Sequence, residues 1–490
     1  MNELRVPISV APGDGIGPEI MDAVLKILKK VEVPLDFEMI EMGKGTYDNG
    51  HLTGMTPESK KSVERNGILL KGPMETPKGG GVKSINVTAR KTWNTHSNIR
   101  VFRSIKGVDT VFSQAGIPID ITIVRENIED TYGGIEHCMS NDVAVSRRMI
   151  SRPGSEQVIR SAFEVAKKEG YKKVTCGHKA NIMKLTDGMF LNTFYEIAKE
   201  FPEIEVDDVI VDALCMKLVY APQQFEVVVL TNLQGDIVSD LCAGLVGGLG
   251  FAPSANLGDD IRIFEAVHGT APDIAGKGLA NPTSLLLSST MMLRELGLAD
   301  HADVIRKALN QVIDKGIHTG DFGVDRSKSV GTQEFSDAIC NEIDLIIKET
   351  GQPSSSLIGQ NVPVRTSYHL LKSEDIEEQV EGIDLFVVDD CQPKELAEKT
   401  NAYLEEAESN LVLTTITNRG TQVWPDGSFF TNLVEVYRIR LEVKQGNTVS
   451  RTQLLQVAAD LSEVFTMGST EMLISINGVK MYSLGQGQKG

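Results

Sequence analysis

The chain has 490 residues, of which 41% are hydrophobic and 24% charged, with a formal net charge of -18. That length exceeds what one hydrophobic core serves, so two or three domains are expected. The negative charge disfavours unspecific binding to nucleic acid or anionic lipid, no apolar run is long enough to cross a bilayer, and small molecules are the expected partners. The opening MNELRVPISVAPGDG has neither a basic lead nor an apolar signal region, so a cytoplasmic location is expected, with an organellar matrix left open if a targeting segment was trimmed. Six cysteines without a CxxC pair argue against zinc and against a disulfide framework.

In chain order, VPISVA reads as a strand, PGDGIGPE as a tight turn and IMDAVLKILKK as a helix. The turn spaces Gly13, Gly15 and Gly17 as G-x-G-x-G, which departs from the dinucleotide fingerprint G-x-G-x-x-G and favours a structural turn. GILLKGP is expected to open a loop. ITIVREN, KVTCGHK and FEVVVLTN read as strands, with helices SEQVIRSAFEVAKKEG and DGMFLNTFYEIAKEF between them. This alternation predicts an α/β core with parallel pairing. After Glu349, GQPSSSLIGQNVPVRTS resembles a linker, and beyond it the order strand, helix, strand, strand, helix, strand predicts a small α+β module of the split βαβ kind.

Asp236 and Asp240 stand four apart in NLQGDIVSDLCAGLVGG, so they share one helical face. Either they hold a cation, or they are acids placed at a helix N-terminus by the macrodipole. Asp212, beyond VIVD, offers a third carboxylate, and oxygen ligands of this kind suit Mg2+ or Mn2+. Arg90, Arg100 and Arg125 flank apolar segments, and guanidinium forks are the preferred partners of carboxylates. Tyr132 and Lys179 lie near these groups in the sequence and are candidates for moving protons, against the ordinary alternatives of a buried tyrosine and a surface lysine.

GDGIGPE, SINVTAR, REN-x-ED-x-YGG, HKANIMK, NLQGD-x-x-SD and HGTAPDIAGKGLANP together resemble the decarboxylating β-hydroxyacid dehydrogenases, the family of isocitrate and isopropylmalate dehydrogenases. The resemblance runs from about Val6 to about Ile346. It implies a twisted mixed sheet, not a Rossmann fold: a large cofactor-binding domain (1–96 and 253–350) and a small substrate, metal and dimerisation domain (97–252). A linker (351–375) and a C-terminal α+β domain (376–490) would follow, the latter resembling the extra domain of the longer bacterial isocitrate dehydrogenases.

By the same resemblance, Ser84, Asn86, Arg90, Arg100 and Arg125 bind substrate, Tyr132, Lys179 and Asp212 are catalytic, and Asp212, Asp236 and Asp240 hold the metal. Lys179 and Asp212 would reach in from the second copy of a homodimer, with pairing into tetramers left open. A buried isopropyl group against Ser84 and Asn86 would leave donors unpaired at about 1–3 kcal/mol each, so isocitrate is favoured. Homoisocitrate or isopropylmalate dehydrogenase, or a non-catalytic regulatory subunit, are the alternatives. The resemblance also assigns cofactor binding to Lys71, Thr76, Asn181, Glu265, His268, Gly269, Thr270, Ala271, Asp273, Ile274 and Asn281. Asp273 and Ile274 stand where NADP-dependent relatives place Lys-Tyr. An aspartate repels a 2′-phosphate by about 1 to 4 kcal/mol at 4 Å, so NAD is the expected acceptor.

Overall fold

The computed structural model describes residues 5–75, 84–323, 326–354, 377–427 and 430–484. The chain forms two compact units, Met1–Gly133 with Met149–Ser367 and Gly134–Arg148 with Tyr368–Gly490. The first unit contributes strands β1 (Val6–Ala11), β2 (Leu35–Met39), β3 (Ile68–Lys71), β4 (Ser97–Arg103) and β5 (Asp120–Glu126). A hairpin of β6 (Glu136–Cys138) and β7 (Ala144–Ser146) belongs to the second unit. The first unit then continues with β8 (Lys173–His178), β9 (Glu205–Ile210), β10 (Val227–Leu230), β11 (Pro253–Leu257) and β12 (Arg262–Ala266).

These ten strands form one sheet in the order β2-β1-β3-β12-β11-β4-β5-β10-β8-β9. The sheet is mixed. Pairing is parallel at both ends, but β12 with β11, β11 with β4 and β4 with β5 are antiparallel. The mixed sheet that the family resemblance implies is therefore present, and the parallel pairing read from strand–helix alternation holds at both ends but not at the centre. The reason is local: only a short turn joins β11 to β12, too little for the crossover that parallel neighbours need. Ile68–Lys71, expected to open a loop, is a strand with all four residues buried, its backbone paired to both β1 and β12.

Register sets the functional face. Lys71 pairs with Glu265, Glu265 with Ser254, and Ser254 with Arg100, so four polar residues stand side by side across β3, β12, β11 and β4. The apolar run of β10 is explained by burial on both faces. Val227 and Val229 join the core beneath helices Arg152–Glu169 and Thr186–Ala198, while Val228 and Leu230 join that beneath helices Val211–Tyr220 and Asn232–Leu245. Around β1, β3 and β12, helices Gly17–Lys30, Thr283–Glu295, Ala299–Asp314 and Thr332–Thr350 bury a third core.

The glycine turn is structural. A Cβ at Gly13 would meet the Pro73 carbonyl oxygen at 2.2 Å and one at Gly15 the Thr270 carbonyl oxygen at 2.1 Å, and the Ile16 N–H donates to that same Thr270 oxygen at 2.9 Å. The turn thus locks two loops that border the cleft. In the second unit, β13 (Glu378–Val388), β14 (Leu411–Asn418), β15 (Thr421–Trp424), β16 (Val436–Val443), β17 (Thr466–Ile476) and β18 (Val479–Lys480) form an antiparallel sheet ordered β15-β14-β16-β13-β17-β18. Helices Pro393–Glu406 and Arg451–Leu461 complete the expected split βαβ pattern. No helix among the described residues is long and apolar enough to cross a membrane.

Glu126, at the end of β5, is buried and accepts the N–H of Ile128 at 2.7 Å and that of Glu129 at 3.2 Å. Burial outweighs these bonds and pushes its pKa up to about 7. A folded pKa above the unfolded one contributes stability that is complete below the unfolded pKa and lost as pH rises through the folded one, here a loss of about 3 kcal/mol. Glu126→Gln is expected to flatten the fall in melting temperature between roughly pH 5 and pH 8. An unchanged slope would remove Glu126 as its source.

Candidate active site

The register row carries a buried charge network. Lys71 pairs with Glu265 and donates to Asn86 Oδ1 at 2.8 Å, which leaves the Asn86 amide N–H groups for other partners. Glu265 also accepts Arg90 Nη2 at 2.9 Å and Asn256 Nδ2 at 2.7 Å. Burial opposes its ionisation, yet Lys71 and Arg90 hold its pKa far below the usual carboxylate value. Lys71 is fully buried, and that burial lowers its pKa despite Glu265. Among the described residues, Arg90 Nε is buried with no hydrogen-bond partner, so it has a donor to spare.

Arg100 donates to Asn98 Oδ1 at 2.8 Å and Ser239 Oγ at 2.6 Å. Burial, with repulsion from Arg125 and Arg90, brings its pKa down to about 10. Arg125 clamps Asn232 Oδ1 through Nε at 3.0 Å and Nη2 at 2.8 Å, pairs with Asp236, and lies 4.9 Å from the centre of the Tyr132 ring. Lys71, Asn86, Arg90, Arg100, Ser254 and His268 line one cavity of about 110 Å3. Glu265 lines it too, so three cations share one buried anion there, and that surplus of positive charge suits a ligand with several carboxylates. Ser84 stands at the N-terminal boundary of helix Ile85–Thr92, with its carbonyl oxygen accepting from Thr88.

Asp236 and Asp240 project from helix Asn232–Leu245, and an oxygen of each lies 3.6 Å from Arg100 Nη1. Neither is in the first turn, where the macrodipole acts, so the helix-terminal explanation loses its ground. Burial works against ionised Asp236, but Arg125, the Tyr132 hydroxyl, Arg100 and Arg90 outweigh it and keep its pKa low. Burial raises the pKa of Asp240, opposed by Arg100 and reinforced by Asp236. A cation beside the pair would relieve this repulsion, and carboxylate oxygens fit a hard divalent ion.

Tyr132 donates its hydroxyl to Asp236, and its pKa is raised by burial and by that bond, so it stays protonated at neutral pH. Lys179 and Asp212 form a separate exposed pair. The Lys179 bond lowers the Asp212 pKa. The oxygens of Asp212, Asp236 and Asp240 do not all come within 4.8 Å of one another in a single chain; among the described residues only Asp389, Asp390 and Cys391, in the second unit, form a trio that close.

The expected cofactor loop follows β12. Gly269 borders the same cavity as His268, whose Nδ1 meets the Gly269 carbonyl at 3.0 Å and whose Nε2 is buried without a partner. Burial lowers the His268 pKa, which favours the neutral ring. Thr270 is pinned by the glycine turn, Ala271 has a φ of 38°, and Asn281 Nδ2 donates to Asp321 at 3.0 Å. Asp273 and Asn181 are exposed, and Ile274 is partly buried against the large core. Thr76 lies outside the described residues. Reasoning from sequence missed the residues that orient the charged groups, namely Asn98, Asn232, Ser239 and Asn256, and Glu19, which accepts the loop N–H groups of Gly278 and Ala280. The i, i+2 spacing of Asn98 and Arg100 on one strand was an available signal.

Residues 7–339 match the family described as isocitrate/isopropylmalate dehydrogenase. The chain belongs to that family. Residues 378–488 match the C-terminal domain of bacterial isocitrate dehydrogenase, so this is the family's long bacterial architecture. A Thermus thermophilus relative named isocitrate dehydrogenase [NADP] is 41% identical over 99% of this chain and 96% of its own. One of the same name from Rickettsia felis is 39% identical over 98% and 99%. A probable isocitrate dehydrogenase [NAD] subunit alpha from Drosophila melanogaster is 44% identical, over only 69% of this chain and 87% of its own. A crystal structure of a Thermus thermophilus protein superposes with a TM-score of 0.89 at 39% identity, covering 100% of this chain and 97% of that one.

The full-length relatives overturn the expectation of NAD, because they carry NADP in their names. The physical weakness of that expectation is visible in the loop. Asp273 sits in water, where one like-charge pair at 4 Å is worth only about 1 kcal/mol, and Ile274 packs toward the core. The buried network makes a prediction of its own. Glu265→Gln leaves Lys71 and Arg90 without their shared anion and is expected to destabilise by about 3–5 kcal/mol in chemical denaturation, whereas the double change Lys71→Met with Glu265→Leu should be much milder. A loss under about 1 kcal/mol for the single variant would contradict this account.

Proposed function

We propose that the protein oxidises isocitrate and decarboxylates the product to 2-oxoglutarate and CO2, with NADP as acceptor and Mg2+ or Mn2+ as the metal. The observation that carries this reading is the cavity that Lys71, Asn86, Arg90 and Arg100 line together, with Arg90 Nε unpartnered among the described residues. The names of the full-length relatives support it.

Arg90, Arg100 and Arg125 hold the substrate carboxylates, and Ser84 and Asn86 meet the group that distinguishes isocitrate from isopropylmalate. Lys179 or Asp212 takes the hydroxyl proton as hydride leaves for the nicotinamide. Tyr132, kept protonated, returns a proton to carbon after CO2 departs. Bound between Asp212, Asp236 and Asp240, the divalent ion would supply Lewis-acid polarisation of the substrate oxygen. Lys71, Asn181, Glu265, His268, Gly269, Thr270, Ala271, Asp273, Ile274 and Asn281 remain our assignment for the cofactor side, with 1–96 and 253–350 as the large domain and 97–252 as the small one.

We further infer a homodimer with shared sites. Met216, Val219 and Tyr220 on helix Val211–Tyr220 and Leu233 and Ile237 on helix Asn232–Leu245 are exposed, an apolar face on the same helices that carry Asp212 and Asp240. Mixing Tyr132→Phe and Lys179→Met subunits, each inactive alone, should restore about a quarter of wild-type activity on random exchange, since each mixed dimer regains one intact site. No recovery despite subunit exchange would place each site within one chain.

Initial rates with isocitrate and isopropylmalate, with NADP and NAD, and with and without Mn2+ test the reaction. Isocitrate, NADP and Mn2+ together are expected to give the highest kcat/KM. Turnover of isopropylmalate alone, or none with any pair, would overturn the reading. Asp240→Asn is expected to raise the Mn2+ concentration needed for half-maximal rate by roughly tenfold.

A further inference from the structure

A second cavity, of about 260 Å3, lies on the opposite face of the same central strands. Side chains alternate along a strand, so while Arg100, Ser254 and Glu265 face the catalytic cluster, Ile99, Val101, Ala255 and Phe264 turn the other way and form an apolar floor. The rim is charged: Arg103, Lys168, Arg294 and Arg306 stand against Glu169 and Glu295. Four lining cations face two lining anions, and Asp120 and Asp303 just outside the rim pair with two of those cations.

Most of these charges are satisfied. Lys168 meets Glu295 at 2.8 Å, and Glu295 also holds Arg262 at 3.0 Å. Arg103 meets Asp120 at 2.8 Å and Glu169 at 3.6 Å, and Arg294 pairs with Asp303. Arg306 is the exception: half-buried at the cavity wall, it has no hydrogen bond or ion pair among the described residues. A partly desolvated guanidinium beside an apolar floor matches a ligand with an apolar body and one carboxylate, because the fork donates to both oxygens at once.

We propose that this cavity binds a small amphipathic carboxylate, its body on the Ile99–Ala255–Phe264 floor and its charge on Arg306, and that occupation alters catalysis. The route is short. The strands β4, β11 and β12 carry the floor on one face and Arg100, Ser254 and Glu265 on the other, and close-packed interiors transmit displacement. The effect on catalysis rests on the isocitrate reading, whereas the binding does not.

Phenylbutyrate is a suitable probe, with phenylbutanol as its uncharged counterpart, each titrated into the full chain by calorimetry. Saturable binding of one phenylbutyrate per chain is expected, at least about tenfold tighter than the alcohol, weakened about as much by Arg306→Gln and recovered in part by Arg306→Lys. Absence of saturable binding, or equal affinity for acid and alcohol in the unaltered protein, overturns the site without depending on any variant. So does indifference to Arg306→Gln. In rate assays, saturating phenylbutyrate should shift the half-saturating isocitrate concentration by about twofold or more in the unaltered protein and not in Arg306→Gln. An unshifted value with the probe bound overturns the coupling, while intact binding in a protein that does not turn over isocitrate marks failure of the substrate reading instead.

Discussion

Four strands held in one register place Lys71, Glu265, Ser254 and Arg100 in a row across the middle of the sheet, and the candidate active site depends on that row. A slip of one residue in any strand would turn its polar group to the opposite face and put an apolar neighbour in its place. The polar side is held by a continuous chain of bonds in which Arg100 donates to Asn98, Asn98 to Asn256, and Asn256 to Glu265. A buried network of this kind resists alternative registers, because each would strand several groups without partners. A short connection explains the antiparallel β11–β12 pair, and β11 pairs with β4 where Arg100 stands beside Ser254.

The electrostatic design sets a cationic recess within an acidic protein. Burial, and after it the mutual repulsion of Arg90, Arg100 and Arg125, lowers the pKa values of Arg100 and Arg125, and anions offset that repulsion. Glu265 and Asp236 supply part of the compensation permanently. The remainder is open to a substrate with several carboxylates, and the paired Asp236 and Asp240 stand ready for a cation that the arginines alone would disfavour. The same logic applies more weakly behind the sheet, where Arg306 has no ion pair among the described residues and feels Asp303 and Asp120 only from beyond contact.

Much of this was legible from the chain alone. Asp236 and Asp240 at helical spacing, the arginines beside apolar strands, and the motif order from GDGIGPE to GLANP pointed to the family that the comparisons then showed. The C-terminal strand and helix order was also readable, because its alternating apolar residues and separate linker leave few competing patterns. Two readings failed and a third held in part. The parallel pairing read from strand–helix alternation gives way to a hairpin at β11 and β12, within the mixed sheet that the family resemblance implied. The ILLK run was too short to separate from a loop until β1 and β12 closed on it. The cofactor preference was taken from Asp273 and Ile274 with a repulsion of about 1 to 4 kcal/mol, and the exposed turn keeps that repulsion at its lower end.

By itself the sequence determined which residue types were available and at what spacing: carboxylates four apart on a helix, guanidinium groups next to strands, and glycines where the chain turns tightly. These are local properties, set by the periods of helix and strand. Tertiary structure decided which of them meet. Asn232 became the partner of Arg125 and Ser239 that of Arg100 only because helix Asn232–Leu245 packs across the carboxyl end of β5, and Lys71 found Glu265 across nearly two hundred residues because β3 and β12 are neighbours. Such contacts depend on strand order and register, which arise from the burial of whole surfaces, and no short stretch of the chain encodes them.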